Sequence, residues 1–283
     1  MFISFTGKEL LRKKVTLVTL LLTAFFIAFY VYGLSQIRLT NGHAVDENAL
    51  NLFLQRALLA VLGLFFAQMV VAFFAFFSSM GAIGGETENG LLLSVMARPV
   101  PRWRIYIGKW IGLSVWSMLY AALLFWAIVL PSHFIVGFPL NGDSLLKAFL
   151  LFEWIPLLLL ALSMLGSACL PTLGNGVACA LLYGIGMFSG LLESVYNADG
   201  THPGVENFSV AASMLIPADA LFRRMSYELM GGDAIPLTGD VSNRLGPFFN
   251  PHLPNAAFLV YTAVYLIALL GAGIRHFKHK DIA

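Results

Sequence analysis

Charged residues are scarce in this chain. Asp, Glu, Lys and Arg make up 11% of its 283 residues and hydrophobic residues 59%, whereas soluble domains are about a quarter charged. A water-soluble fold of this length could not hide so much apolar surface, which excludes a soluble enzyme and puts lipid around much of the chain. Cysteine is nearly missing too. Cys169 and Cys179 are too few and too far apart for a disulfide framework or a metal knuckle, and are expected to be small buried apolar residues. The histidines do not cluster: His43, His133, His202 and His252 each stand alone in a loop, and His276 and His279 lie amid Lys and Arg. Such positive surroundings disfavour a cation and suit a lipid-headgroup anchor, so no metal site is expected. A phosphate-binding loop is also lacking. Gly108-Lys109 is followed by Trp110 and has no upstream glycine in register, so the chain has no means of its own to hydrolyse ATP. There is no fixed-period repeat and no low-complexity tract, so one membrane domain is expected.

What the chain does have is long apolar runs. About twenty such residues cross a hydrocarbon core, and six runs qualify: 15–34, 57–77, 110–130, 148–170, 177–192 and 256–274. The third stops at Pro131 and the fourth at Pro171, while the fifth is short and rich in glycine. The fold expected is an all-α polytopic membrane protein. The apolar run after the basic start is long enough to span and is not closed by a small-residue cleavage site, so it is read as a span, not a signal peptide.

Lys and Arg set the orientation. Lys8, Arg12, Lys13, Lys14, Arg98, Arg102, Arg104, Lys109, Arg275, Lys278 and Lys280 fall on one side, and Arg38, Arg56, Lys147, Arg223, Arg224 and Arg244 on the other. Eleven against six, with the six spread through longer loops, puts both termini in the cytoplasm, as an even number of spans requires.

The long outer segment 193–255 carries Glu193, Asp199, Glu206, Asp219, Glu228, Asp233 and Asp240, a composition suited to solvent. After Pro217, Leu221, Phe222, Met225 and Leu229 recur at helical spacing, with Arg223, Arg224 and Glu228 elsewhere on the wheel and Gly231-Gly232 as a stop. An amphipathic helix on the outer membrane face, or capping the spans, is expected there.

The most informative segment lies between the second and third spans. It contains Gly85, Glu86, Thr87, Glu88, Gly90, Leu91 and Leu92, then Val95, Met96, Arg98 and Pro99, then Arg102, Gly108 and Lys109. Glu86 and Glu88 suit the start of a helix dipole and Arg98 its end, while Pro99 forces the preceding residue out of helical geometry. Leu91, Leu92, Val95 and Met96 form one apolar stripe. A short helix over 84–96 is thus expected in the cytoplasm with one greasy face, to be covered either by lipid or by a groove in a partner protein.

These residues resemble the corresponding loop of the type-2 ABC transporter permeases: a glycine-flanked Glu86, the run Gly90-Leu91-Leu92, Arg98-Pro99, basic Arg102, and Gly108-Lys109. The basic start (Lys8, Glu9, Arg12, Lys13), the six spans and the basic tail fit as well, so the likeness covers nearly the whole chain. Ile216-Pro217-Ala218-Asp219-Ala220-Leu221-Phe222-Arg223 is in addition similar to the outer Asn-Pro-x-Asp segment of permeases serving nitrous oxide reductase maturation, with Ile216 standing where Asn would be. The resemblance implies a half-transporter in a prokaryotic inner membrane, paired with a second permease copy and with cytoplasmic ATPase subunits that bind ATP and Mg. Residues 84–96 would be the coupling helix, with Glu86 and Glu88 meeting basic groups of the ATPase and Leu91, Leu92 and Val95 filling its pocket. Residues 1–14 would be an elbow helix on the inner leaflet. The outer segment, with Pro217, Asp219, Phe222 and Arg223, would face cargo or a periplasmic protein; no cofactor on this chain and no nucleic acid is implied.

Two polar residues inside spans stand out. Glu153, a turn or two inside span four, either has a transport or gating role or reaches headgroups and water. Gln68 suits a helix–helix hydrogen bond better than a substrate contact. Gly186 and Gly190 allow close helix approach, as do Gly108 and Gly112. Two rival functions make different demands. An ion-driven secondary transporter would need midplane charges and broken helices in matching halves, and an intramembrane enzyme or assembly factor would need clustered Asp, His or Glu. The sequence offers neither.

Overall fold

A computed structural model describes residues 14–41, 49–88, 101–196, 203–231 and 255–279. The expected elbow, with Lys8, Glu9, Arg12 and Lys13, lies outside these residues, as does the loop from Gly90 through Leu91, Leu92, Val95 and Arg98 to Pro99. Every regular element of the described residues is a helix: α1 (Lys14–Asn41), α2 (Ala49–Ser79), the short α3 (Gly84–Glu88), α4 (Arg102–Pro131), a π-helical turn (Ser132–Val136), α5 (Gly142–Cys169), α6 (Thr172–Tyr196), α7 (Pro203–Leu215), α8 (Ala218–Leu229) and α9 (Ala256–His279).

Six of these helices are long and apolar enough to cross a membrane: α1, α2, α4 with its π-helical turn, α5, α6 and α9. Helix is the geometry lipid enforces, because every backbone N–H and C=O in hydrocarbon needs a partner within its own segment. The helices overrun the apolar stretches that identify them. The third begins at Arg102, eight residues before Trp110, and continues past Pro131 to Val136. Pro131 removes only its own N–H from the ladder. The Ser132 hydroxyl donates to the Ile128 carbonyl at 2.7 Å, and the turn ends at Gly137, whose φ of 77° suits glycine.

The six spans are not equivalent. In α2 and α5, 61% of the apolar window is buried, against 22% in α1 and α9. Accordingly α5 sits at the centre, touching α2, α4, α6, α8 and α9, while α1 and α9 lie at the periphery. One end of the bundle carries Arg102, Arg104, Lys109, Arg275 and Lys278 and is called the basic end; Arg56, Lys147, Arg223 and Arg224 mark the far end.

Between the fifth and sixth spans an amphipathic helix is expected on the membrane face or capping the spans; the structure departs from the first placement and comes nearer the second. The segment holds two helices, α7 and α8, that form a hairpin packed into the bundle, α7 along α6 and α8 chiefly against α5 and α6. Leu221, Phe222 and Met225 are at most 1% exposed. The amphipathic pattern misleads because Arg223 is buried as well, at 8% exposure, and its charge is met from within. The cysteines also divide: Cys179 is buried as expected, but Cys169 is exposed.

Candidate functional site: a loop root and an outer hairpin joined by one span

At the basic end, the turn from Met80 to Glu88 is fastened to three spans. Lys109 of α4 donates its ammonium to the Ala82 carbonyl at 2.6 Å. Ser167 of α5 accepts the backbone N–H groups of Ile83 and Gly84, each at 3.0 Å. Asn175 of α6, fully buried, donates to the Met80 carbonyl at 3.1 Å and to the Ser163 carbonyl at 2.9 Å. Backbone groups of a turn that has left its helix need partners, and polar side chains of the neighbouring spans supply them.

Glu88 closes the arrangement. Its two carboxylate oxygens accept the Thr172 N–H and the Thr172 hydroxyl, both at 3.1 Å. Thr172 opens α6, and the residue before it is Pro171, which has neither an N–H nor a capping oxygen in its side chain. The orphan N–H groups of a helix start call for an acceptor, and a negative charge there also meets the positive end of the dipole. Glu88 therefore caps span five from another helix. Glu86 and Thr87 lie on the same short α3, and Gly85 stands so close that an added Cβ would be 3.2 Å from the Thr172 hydroxyl. Beyond the loop, Arg102 donates to the Phe277 and Lys278 carbonyls at 3.4 and 3.0 Å, satisfying the last turn of α9. Gly108 sits within α4, one residue before Lys109.

At the far end the hairpin charges form a buried cluster. Glu193 near the end of α6 is 5% exposed, and its Oε2 accepts Ser209 Oγ of α7 at 2.5 Å and Arg223 Nη1 of α8 at 2.8 Å. Arg223 Nε stands 3.1 Å from Asp219 Oδ2. Burial pushes the Asp219 carboxyl up to about 6 and the Glu193 charge adds to the rise, while Arg223 opposes it. The hairpin tip at Leu215–Pro217 is held from several sides. Tyr261 and Tyr265 of α9 donate to the Met214 and Leu215 carbonyls at 2.5 and 2.6 Å, and Gln68 of α2 donates to the Ala218 carbonyl at 3.3 Å. Ile216 packs against Gly186. Tyr265 and Gly186 lie nine and ten residues from the far ends of their helices, so at 1.5 Å per residue the tip reaches roughly 14 Å into the bundle.

Of the residues singled out by sequence, Pro217, Asp219, Phe222 and Arg223 thus come together in the hairpin, and Gln68 makes the interhelical hydrogen bond expected of it. Glu153 does not reach water or headgroups. It lies eleven residues into α5, is 5% exposed, and neither carboxylate oxygen has a hydrogen-bond partner. Its site is deeper than expected because α5 begins at Gly142, well before the apolar run. Sequence reasoning missed Ser167, Thr172, Asn175, Glu193 and Ser209. For the first three there was a signal: small polar residues flanking Pro171, where a span starts without a cap of its own. For Glu193 and Ser209 there was none, since an acid after an apolar run reads as the start of a solvated loop. Among the described residues no group of three or more His, Cys, Asp or Glu could hold a metal ion.

Six helices long and apolar enough to cross a membrane, with a polar loop root at one end and a buried hairpin at the other, define a multi-pass membrane protein. Residues 7–282 match the model of the ABC-2 family transporter proteins, and the chain belongs to that family: it is a membrane permease subunit of an ABC transporter. A comparison with curated proteins returns no match.

Proposed function

We propose that this chain is the driven half of an exporter whose motor is a separate cytoplasmic ATPase. In this reading the basic end faces the cytoplasm of a prokaryotic inner membrane, with both termini inside, and two permease copies pair above two ATPase subunits that bind ATP and Mg. The loop after α2 is the docking element, with Glu86 and the apolar stripe Leu91, Leu92 and Val95 turned to the ATPase. One observation carries the proposal: the root of this loop is hydrogen-bonded to spans three, four and five through Lys109, Ser167, Asn175 and Thr172. A force on the loop therefore acts on half the bundle. A loop that merely lay on lipid would have no use for such anchorage.

The likeness of residues 216–223 to permeases of nitrous oxide reductase maturation bears on the output. Asp219, Phe222 and Arg223 are buried at 9%, 1% and 8% exposure, which suits a moving part inside the bundle better than a docking surface for a periplasmic protein. Export past this hairpin is the reading we favour. Co-purification with candidate ATPase subunits tests the assignment, using the unaltered chain, Glu86→Ala and Leu92→Asp. The unaltered chain should recruit an ATPase and Leu92→Asp should lose it, with Glu86→Ala weakened. Recruitment of none by the unaltered chain, or equal recruitment by all three, would end the docking assignment.

A further inference from the structure

We infer that α6 is the rod that carries movement from the cytoplasmic loop to the outer hairpin, with Glu88–Thr172 as its inner joint and Glu193–Ser209/Arg223 as its outer joint. The inference rests on the reading of the loop as the ATPase-docking element and names the path by which docking is felt outside.

The inner joint is built to be pulled. Glu88 grips the first residue of α6 with both oxygens, and the grip replaces a cap that Pro171 cannot provide. The contact is exposed at the end where the ATPase would dock, and buried Asn175 keeps the turn and the span together. The rod is one unbroken helix despite its glycines. Its 25 residues contain no internal proline, and unsatisfied backbone groups cost several kcal/mol in hydrocarbon, so the helix moves as a unit. Glu193 lies 21 residues beyond Thr172, roughly 31 Å along the axis.

The outer joint grips both helices of the hairpin through one atom. Glu193 Oε2 takes Ser209 from α7 and Arg223 from α8. Gly186 and Gly190 let the hairpin lie directly on the rod, Ile216 filling the first position and the Asp219 carboxylate the second. The ion pairs that fasten the buried hairpin charges thus run to α6 or stay within α8. Other spans also reach both ends: α2 runs into the turn and donates from Gln68 to the Ala218 carbonyl, α5 holds the turn through Ser167 and packs along α8, and α9 meets Arg102 and the hairpin tip through Tyr261 and Tyr265. What sets α6 apart is the charged link, Glu193 meeting the buried Arg223.

The test uses the full chain with its ATPase in lipid nanodiscs. Hydrogen–deuterium exchange of residues 218–229 is compared without nucleotide and after trapping with ATP and vanadate. In the unaltered complex trapping should change exchange by at least about fivefold, the lower end of ordinary allosteric coupling. Thr172→Val keeps the shape of the side chain and removes the hydroxyl; it should still bind the ATPase but lose most of the nucleotide response, and Thr172→Ser should restore it. Glu193→Gln should lose the response in the same way. An unchanged response in Thr172→Val, or no response in an unaltered complex that hydrolyses ATP, refutes the rod. So does a response lost in Tyr261→Phe/Tyr265→Phe but kept in Thr172→Val, which would move the role to α9. Failure of any ATPase to bind the unaltered chain would instead strike at the permease assignment itself and take the rod with it.

Discussion

Adding one methyl group to α6 at Gly190 should unseat the hairpin, whereas the same change six residues earlier should not. A Cβ at Gly190 would overlap Asp219 Oδ2 and lie 2.6 Å from its Cγ and 2.9 Å from Oδ1. A carboxylate end could ordinarily swing aside, but this one is buried and held 3.1 Å from Arg223 Nε, so moving it loosens the pair and shifts α8 off the rod. Overpacking a well-filled site costs about 1–3 kcal/mol. Disturbing a buried ion pair adds to that, short of the roughly 3–5 kcal/mol for losing a partner outright. A total of about 2–4 kcal/mol is expected for Gly190→Ala, a drop in melting temperature of about 4–16 °C at about 2–4 °C per kcal/mol for a large domain. At Gly184 nothing lies within 4 Å of an added Cβ, so Gly184→Ala should be neutral or should gain up to about 1 kcal/mol from helix propensity. Thermal unfolding of the detergent-purified chain, followed by fluorescence-detected size exclusion, reads both. If Gly190→Ala melts with the unaltered protein, or both alanines behave alike, the seat of the hairpin on α6 is wrong.

Two further outcomes follow from buried carboxyls. Glu153 keeps both oxygens from water and from hydrogen-bond donors, so Glu153→Leu should raise the melting temperature by removing an unsatisfied group that costs about 1–3 kcal/mol; a lower one would mean that the carboxyl has a partner in the folded state. Asp219 should make the hairpin firmer as pH falls. Its folded value of about 6 lies above the ordinary aspartate value of 3.8, so its proton is held more tightly in the folded state, and stability rises as pH drops from about 6 toward 3.8. The groups facing it are Arg223 on its own helix and Glu193 and Tyr183 on α6. Melting at pH 7.5 and 5.5 should differ in the unaltered chain, and Asp219→Asn should abolish that part of the difference; an identical pH response in the variant would assign it to another group.

The spans were legible because lipid selects for composition: a run without charge and long enough to cross can hardly be anything else. The loop was legible as a loop because Glu, Gly, Arg and Pro interrupt two such runs. Its anchorage was not, since a serine in an apolar helix looks the same whether it bonds its own backbone, as Ser79 does to Ala75, or a distant turn, as Ser167 does to Ile83. The hairpin was the hardest part to read. Arg223 and Asp219 are polar letters in the sequence, and their burial becomes reasonable only once Glu193, thirty residues earlier, is known to face them. Charge pairing across that distance leaves no periodic trace.

The burial of these charges also argues about how the bundle works. An ion pair at the membrane surface holds weakly because water competes for it, at a median of about 0–1 kcal/mol. A pair nine-tenths buried contributes little net stability over an apolar substitute, yet breaking it singly is costly. Such a cluster is therefore a poor glue and a good joint: it tolerates one alternative arrangement in which all partners move together and resists those in which one is left behind. Glu193, Arg223 and Ser209 come from three helices that must then move in concert. The Glu88–Thr172 contact is the opposite kind, exposed and replaceable. If the proposed function holds, a rod with an exposed contact at the loop end and a concerted one at the hairpin end has the asymmetry that export would require. Reversing it, by burying a charge pair at the loop or exposing the one at the hairpin, should uncouple hydrolysis from hairpin motion while leaving the fold intact.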